Sequence, residues 1–144
     1  LQDLSCDFGY PNSSTLTDRI PGNSLLRLSL CQSHIQSLEG IEVATKLRGL
    51  NLAYNRRLTD ISDLSTLKDT LAELTIQSCG KIRDFSVLSE LHNMQFLTLC
   101  GSNVLPNLSF LKNMPNLKFL KLMMDVEDGD LSFYGLKHKI VKKL

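Results

Sequence analysis

The sequence predicts an α/β solenoid, in which short parallel strands stack and are joined by short helical or 3₁₀ returns. Two observations predict it. A short apolar code, L-x-x-L-x-L or a close variant, begins at Leu25, Leu47, Leu71, Met94 and Leu117. Weaker copies begin at Leu1 and Val141, and the successive intervals are 24, 22, 24, 23, 23 and 24 residues. Within each unit the apolar period then changes from near two to near three, the mark of a strand that gives way to a helical return.

Residues 71–91 show the unit most plainly. Leu71, Leu74 and Ile76 form the strand code, Cys79 follows at a bend, and Ile82, Phe85, Leu88 and Leu91 mark the return. One such unit leaves an apolar edge uncovered, so units must stack on one another. The chain reads as a single domain over 1–144, with units starting near 1, 25, 47, 71, 94 and 117 and a partial one at 141.

Taken in order, residues 1–8 are the first strand. Residues 7–24 are the least regular stretch, rich in Pro, Gly, Ser and Asn, and only Leu16 and Ile20 can turn inward. This is an outer loop, because the next strand begins on schedule. The bend residues are Gly9, Ser33, Asn55, Cys79, Asn103 and Asp125. Small polar side chains at a sharp bend can bond backbone groups left unpaired there. Gly101 and Ser102 supply one extra residue ahead of Asn103, which predicts a bulge. The return segments carry Leu38 and Ile41; Ile61, Leu64 and Leu67; Phe85, Leu88 and Leu91; Leu108, Leu111 and Met114; and Leu131, Tyr134 and Leu136.

The code and its spacing resemble the leucine-rich repeat family over essentially the whole chain. Most units look like the 22-residue type of phosphatase-regulatory and internalin-like proteins, and the Cys79 unit looks like the cysteine-containing type. The resemblance implies a horseshoe segment with one curved parallel sheet, an asparagine ladder at the bends, and protein binding on the concave face.

Composition excludes several other classes. The net charge is +1, so no global field favours nucleic acid. No apolar run approaches the ~18–20 residues of a membrane span, and no leader is visible. The four cysteines, Cys6, Cys31, Cys79 and Cys100, occupy positions whose faces or separations do not suit a bridge, which predicts free thiols in a reducing, cytoplasmic compartment. A secreted or cell-surface setting is the alternative if a leader was removed. No C-x-x-C or H-x-x-x-H pair suggests zinc, and residues 125–130 place glycine and glutamate wrongly for a calcium loop. His34, His92 and His138 are scattered, with no paired nucleophile. The expectation is therefore no enzyme and no cofactor. Asn12-Ser13-Ser14 and Asn107-Leu108-Ser109 fit the glycosylation triplet, but such triplets are common by chance and Leu108 reads as core. The basic C-terminal residues Lys137, His138, Lys139, Lys142 and Lys143 read as a polar ending.

Alternation assigns the outward face. Its candidate partner-binding residues are Arg27, Glu73, Phe96, Phe119, Lys121 and Met123 on the strands, with Tyr54 and Met124 at the rim. Phe96, Phe119, Met123 and Met124 form the apolar part of that surface. The expected function is a non-catalytic protein-interaction scaffold. The alternative is the substrate-recognition arm of a larger enzyme or ligase complex. Leu1, Leu4, Val141 and Leu144 stand where caps would be expected, which predicts a piece of a longer chain or end-to-end association.

Overall fold

The computed structural model describes residues 2–7, 9–130 and, for the backbone, 139–142. Its strands are β1 (Asp3–Cys6), β2 (Arg27–Cys31), β3 (Gly49–Ala53), β4 (Glu73–Gln77), β5 (Phe96–Leu105), β6 (Phe119–Val126) and β7 (Lys139–Lys142). They form one sheet in chain order, and every neighbouring pair is parallel. From β1 to β6 each strand begins two residues after the start of its apolar code.

Side-chain alternation fixes which residues enter the core. Leu28, Leu50, Leu74, Leu97 and Leu120 pair in register across β2 to β6 and are buried. Leu30, Leu52, Ile76, Leu99 and Leu122 do the same two places later. Cys6 and Leu30 pair on β1 and β2. Burying one such leucine contributes about 1.5–3 kcal/mol, and one continuous cluster collects them all. Strand starts are locked by shared carbonyls: those of Gln2, Leu26, Arg48, Ala72 and Gln95 each accept two consecutive N–H groups of the next strand.

The returns are 3₁₀ turns, at Ile41–Val43, Ser62–Leu67, Ser86–Glu90 and Ser109–Asn113. A short side chain stands two places before the first residue of three of them and bonds the first N–H of the turn. Asp60 accepts from Ser62, Asp84 from Ser86 and Asn107 from Ser109, at 2.8, 2.8 and 2.9 Å. The Ser62 and Ser86 hydroxyls and amides hold the Asp60 and Asp84 carboxyls below the ordinary aspartate value. The Asn107 triplet is therefore a turn device, with its carboxamide oxygen also accepting the Ser109 hydroxyl. The returns also bury Val87 and Phe110, and the bends bury Ile35 and Leu58. The three-residue period did not mark these four.

The irregular stretch after β1 is tied to the core. Leu16 is fully buried, and its N–H donates to Glu39 O at 2.8 Å. Gly40 makes the approach possible: at φ +98° a Cβ there would lie 2.4 Å from the Thr17 nitrogen. Any side chain would collide with the loop.

The bends need a left-handed residue and a buried polar one. Gln32, Tyr54 and Ser78 have φ of 56°, 56° and 54°. Each N–H donates to a carbonyl of the next strand, at Ala53, Gln77 and Cys100. The following residues, Ser33, Asn55 and Cys79, are buried. Asn55 Oδ1 accepts the Ser33 N–H at 2.9 Å and the Ser33 hydroxyl at 2.6 Å, while its Nδ2 donates to Leu30 O at 2.9 Å. Cys79 fills the same place with weaker sulfur contacts, its thiol lying 3.6 Å from Leu52 O. Burial pushes that thiol's pKa up. Asn103 Nδ2 donates to Cys79 O and Ile82 O at 3.0 and 2.9 Å, but its buried Oδ1 has no partner.

Three expectations are corrected. Asp125 does not join the buried bend residues: it is exposed, on β6 opposite Val104. The reason is the bulge expected near Gly101, which appears as a register shift between Cys100 and Val104 and lets β5 and β6 pair on past the bend. Met124 is buried on the core side at 8% exposure, because the continuing alternation of β6 turns it inward next to the outward Met123. The last strand also sits earlier than its code suggested, since Ile140, not Leu144, aligns with Leu120. The expected return residues Leu131, Tyr134 and Leu136, and the end residues Leu1 and Leu144, lie outside the described residues.

The bend chemistry predicts a ranking. Asn55→Ala strands the Ser33 N–H, its hydroxyl and the Leu30 carbonyl, each costing about 1–3 kcal/mol when buried and unpaired. Asn103→Ala strands only carbonyls and removes an oxygen that is already unpartnered. Urea unfolding is expected to show a loss of about 3 kcal/mol for Asn55→Ala and a smaller loss for Asn103→Ala.

Candidate binding groove on the outward sheet face

In-register pairing arranges the outward residues in rows. The first row runs Asp3, Arg27, Gly49, Glu73, Phe96 and Phe119 across β1 to β6. The second runs Ser5, Ser29, Asn51, Thr75, Thr98 and Lys121, and the third begins at Cys31 and runs through Ala53, Gln77 and Cys100 to Met123. Gly49 is the one position in the first row without a side chain. Over it lies a groove of about 660 Å³ that reaches from Asp3 to Phe96, with Asn51, Thr75 and Thr98 beside it.

Arg27 and Glu73 lie two strands apart, roughly 9–10 Å between backbones. Their side chains meet over Gly49, with Nη2 at 3.3 Å from Oε1. A Cβ on Gly49 would lie 3.3 Å from Arg27 Cγ and 3.4 Å from Glu73 Oε2, so even alanine crowds the crossing. The two side chains are 57% and 41% exposed. Below the pair, Asn51 Nδ2 donates to Ser29 Oγ at 3.1 Å. At the C-terminal wall Phe96 is 43% exposed, and Phe119 beside it is half-buried.

The structure thus brings together three of the expected site residues, Arg27, Glu73 and Phe96. Phe119 adjoins them in the same row. Lys121 and Met123 are half-buried on β6, beyond the groove lining. Tyr54 stands elsewhere, at the far ends of the strands. Its hydroxyl accepts from Gln77 Nε2 at 3.1 Å, and it lines a separate recess with His34, Arg56 and Arg57. Met124 faces the core and leaves the site. Gly49 was missed by sequence reasoning, which scored outward positions by the side chains they carry. The available signal was a glycine at the row position held by Arg27 and Glu73 on either side.

Cys31 and Cys100 are half-buried in the third row, Cys6 and Cys79 are buried, and all four thiols are free. Among the described residues no helix is long and apolar enough to cross a membrane.

An exposed ion pair is worth about 0–1 kcal/mol, so Arg27–Glu73 shapes the groove more than it stabilises the fold. A double-mutant cycle of Arg27→Ala and Glu73→Ala, read by urea unfolding, is expected to give a coupling below about 1 kcal/mol. A larger value would make the pair a structural strut.

A scan against protein-family models and a search of curated proteins find no match, so the functional reading rests on the geometry above.

Proposed function

We propose that this chain is a leucine-rich repeat segment, a solenoid whose outward strand face docks a protein partner without catalysis. The architectural part is supported by the spacing of paired strands, 22 to 24 residues from Arg27 through Phe119. It is also supported by the buried Asn55 carboxamide at the bend. A sheet face built from every second residue of adjacent strands presents a broad, regular surface, and broad surfaces suit macromolecules.

The observation that carries the docking reading is the groove over Gly49 with the exposed ring of Phe96 at its wall. An aromatic ring held on a rigid strand loses little entropy on contact and is a common energetic anchor. Phe119 extends the apolar wall on the next strand. Four free thiols suit a reducing, cytoplasmic setting.

The test uses the partner recovered with the intact protein, titrated against purified variants. Phe96→Ala combined with Phe119→Ala is expected to weaken binding by more than about 2 kcal/mol, with circular dichroism unchanged. Tyr54→Ala, at the opposite strand ends, is expected to have a smaller effect. Unchanged affinity in the Phe96 and Phe119 double variant would refute this face as the docking surface.

A further inference from the structure

We propose that the Gly49 groove receives the guanidinium of an arginine presented by a protein partner, with Glu73 as its carboxylate and Phe96 as the ring it stacks on. The inference rests on the docking reading above and gives it a chemistry.

Charge along the first row supplies the first argument. Asp3, Arg27 and Glu73 line the groove, so its lining carries two carboxylates and one guanidinium, and that guanidinium is on Glu73. Lys121 lies on β6, two strands beyond Glu73, and is not part of the lining. One unit of negative charge is therefore left to be met by a cation from outside.

The second argument is the present occupant. Arg27 crosses the bare backbone of Gly49 to put Nη2 at 3.3 Å from Glu73 Oε1. The Glu73 carboxylate thus already holds a guanidinium, but one tethered from two strands away. Asp3 pairs in register with Arg27 on the other side, so a displaced Arg27 has a carboxylate to turn to. The exchange leaves two pairs, Asp3 with Arg27 and Glu73 with the incoming arginine.

Phe96 supplies the third argument. It stands next to Glu73 in register, and the residue is 43% exposed. A carboxylate beside an exposed aromatic side chain is a pairing a planar cation exploits, because it can stack on the ring while it bonds the acid. A lysine ammonium has no plane to stack and is the weaker fit. Gly49 keeps the approach open, since a side chain there would sit where the incoming group must pass.

The experiment is an amide NMR titration of the full chain with N-acetyl-arginine methylamide, alongside its lysine and glutamate counterparts. The variants are Arg27→Ala and Glu73→Gln, both of exposed or half-exposed side chains, and their spectra report folding directly. The arginine compound is expected to move the Gly49 and Phe96 amides in a saturable way. Arg27→Ala removes the internal competitor and is expected to bind about three- to fivefold tighter. Glu73→Gln is expected to lose the response. No localised response in Arg27→Ala, or equal binding of the lysine or glutamate compound, would overturn the proposal. Either result would leave the docking surface standing, because that is read from partner affinity in the Phe96 and Phe119 double variant.

Discussion

Register is the constraint on which this structure depends. The starts of β2 to β6 are each fixed by a carbonyl that accepts two consecutive N–H groups. A slip of one residue would turn every leucine of a strand outward and every polar residue inward. The same lock makes rows of the outward side chains, so a property of one strand becomes a property of a surface. Bends depend on it too. Asn55 can reach both Ser33 and Leu30 only because its own strand and the previous one are aligned.

The groove follows from this by subtraction. A row of side chains across six strands would otherwise be a continuous ridge. One glycine interrupts it, and the neighbours on both sides, being long and oppositely charged, close over the gap. Their pairing is weak because both ends face water. Leu28, Leu50 and Leu74 line the groove together with Asn51, Thr75 and Thr98, and the far wall is aromatic, so the site combines a replaceable ion pair with an exposed ring. A side chain at position 49 would crowd the crossing and fill this recess.

How much of this was legible in the sequence follows from what each signal encodes. The inward leucines recur at two spacings at once, and both register and parallel pairing could be read from Leu28, Leu50, Leu74, Leu97 and Leu120. Bend residues were legible as far as Asn103. Asp125 was not, because the bulge after Cys100 prolongs β5 and β6, and a count of residues does not say whether pairing stops or continues past a bulge. Met124 failed for the same reason, since its face depends on β6 continuing. Arg27 and Glu73 were read as candidate partner-binding residues on different strands; their contact depends on what is absent from position 49, and a pattern of side chains is blind to that. Ile140 took the place expected of Leu144 because the last interval is shorter than the others, and one weak copy of the code does not fix its own phase.

The measurement that tests this account most directly is the register at Gly49 in solution. Backbone nuclear Overhauser effects there report its strand neighbours independently of any side chain. The account predicts contacts that place Gly49 opposite Arg27 on one side and Glu73 on the other, with Leu50 opposite Leu28 and Leu74. Contacts offset by one residue on either side, or an antiparallel pattern, would contradict it and remove the groove together with the fold that positions it.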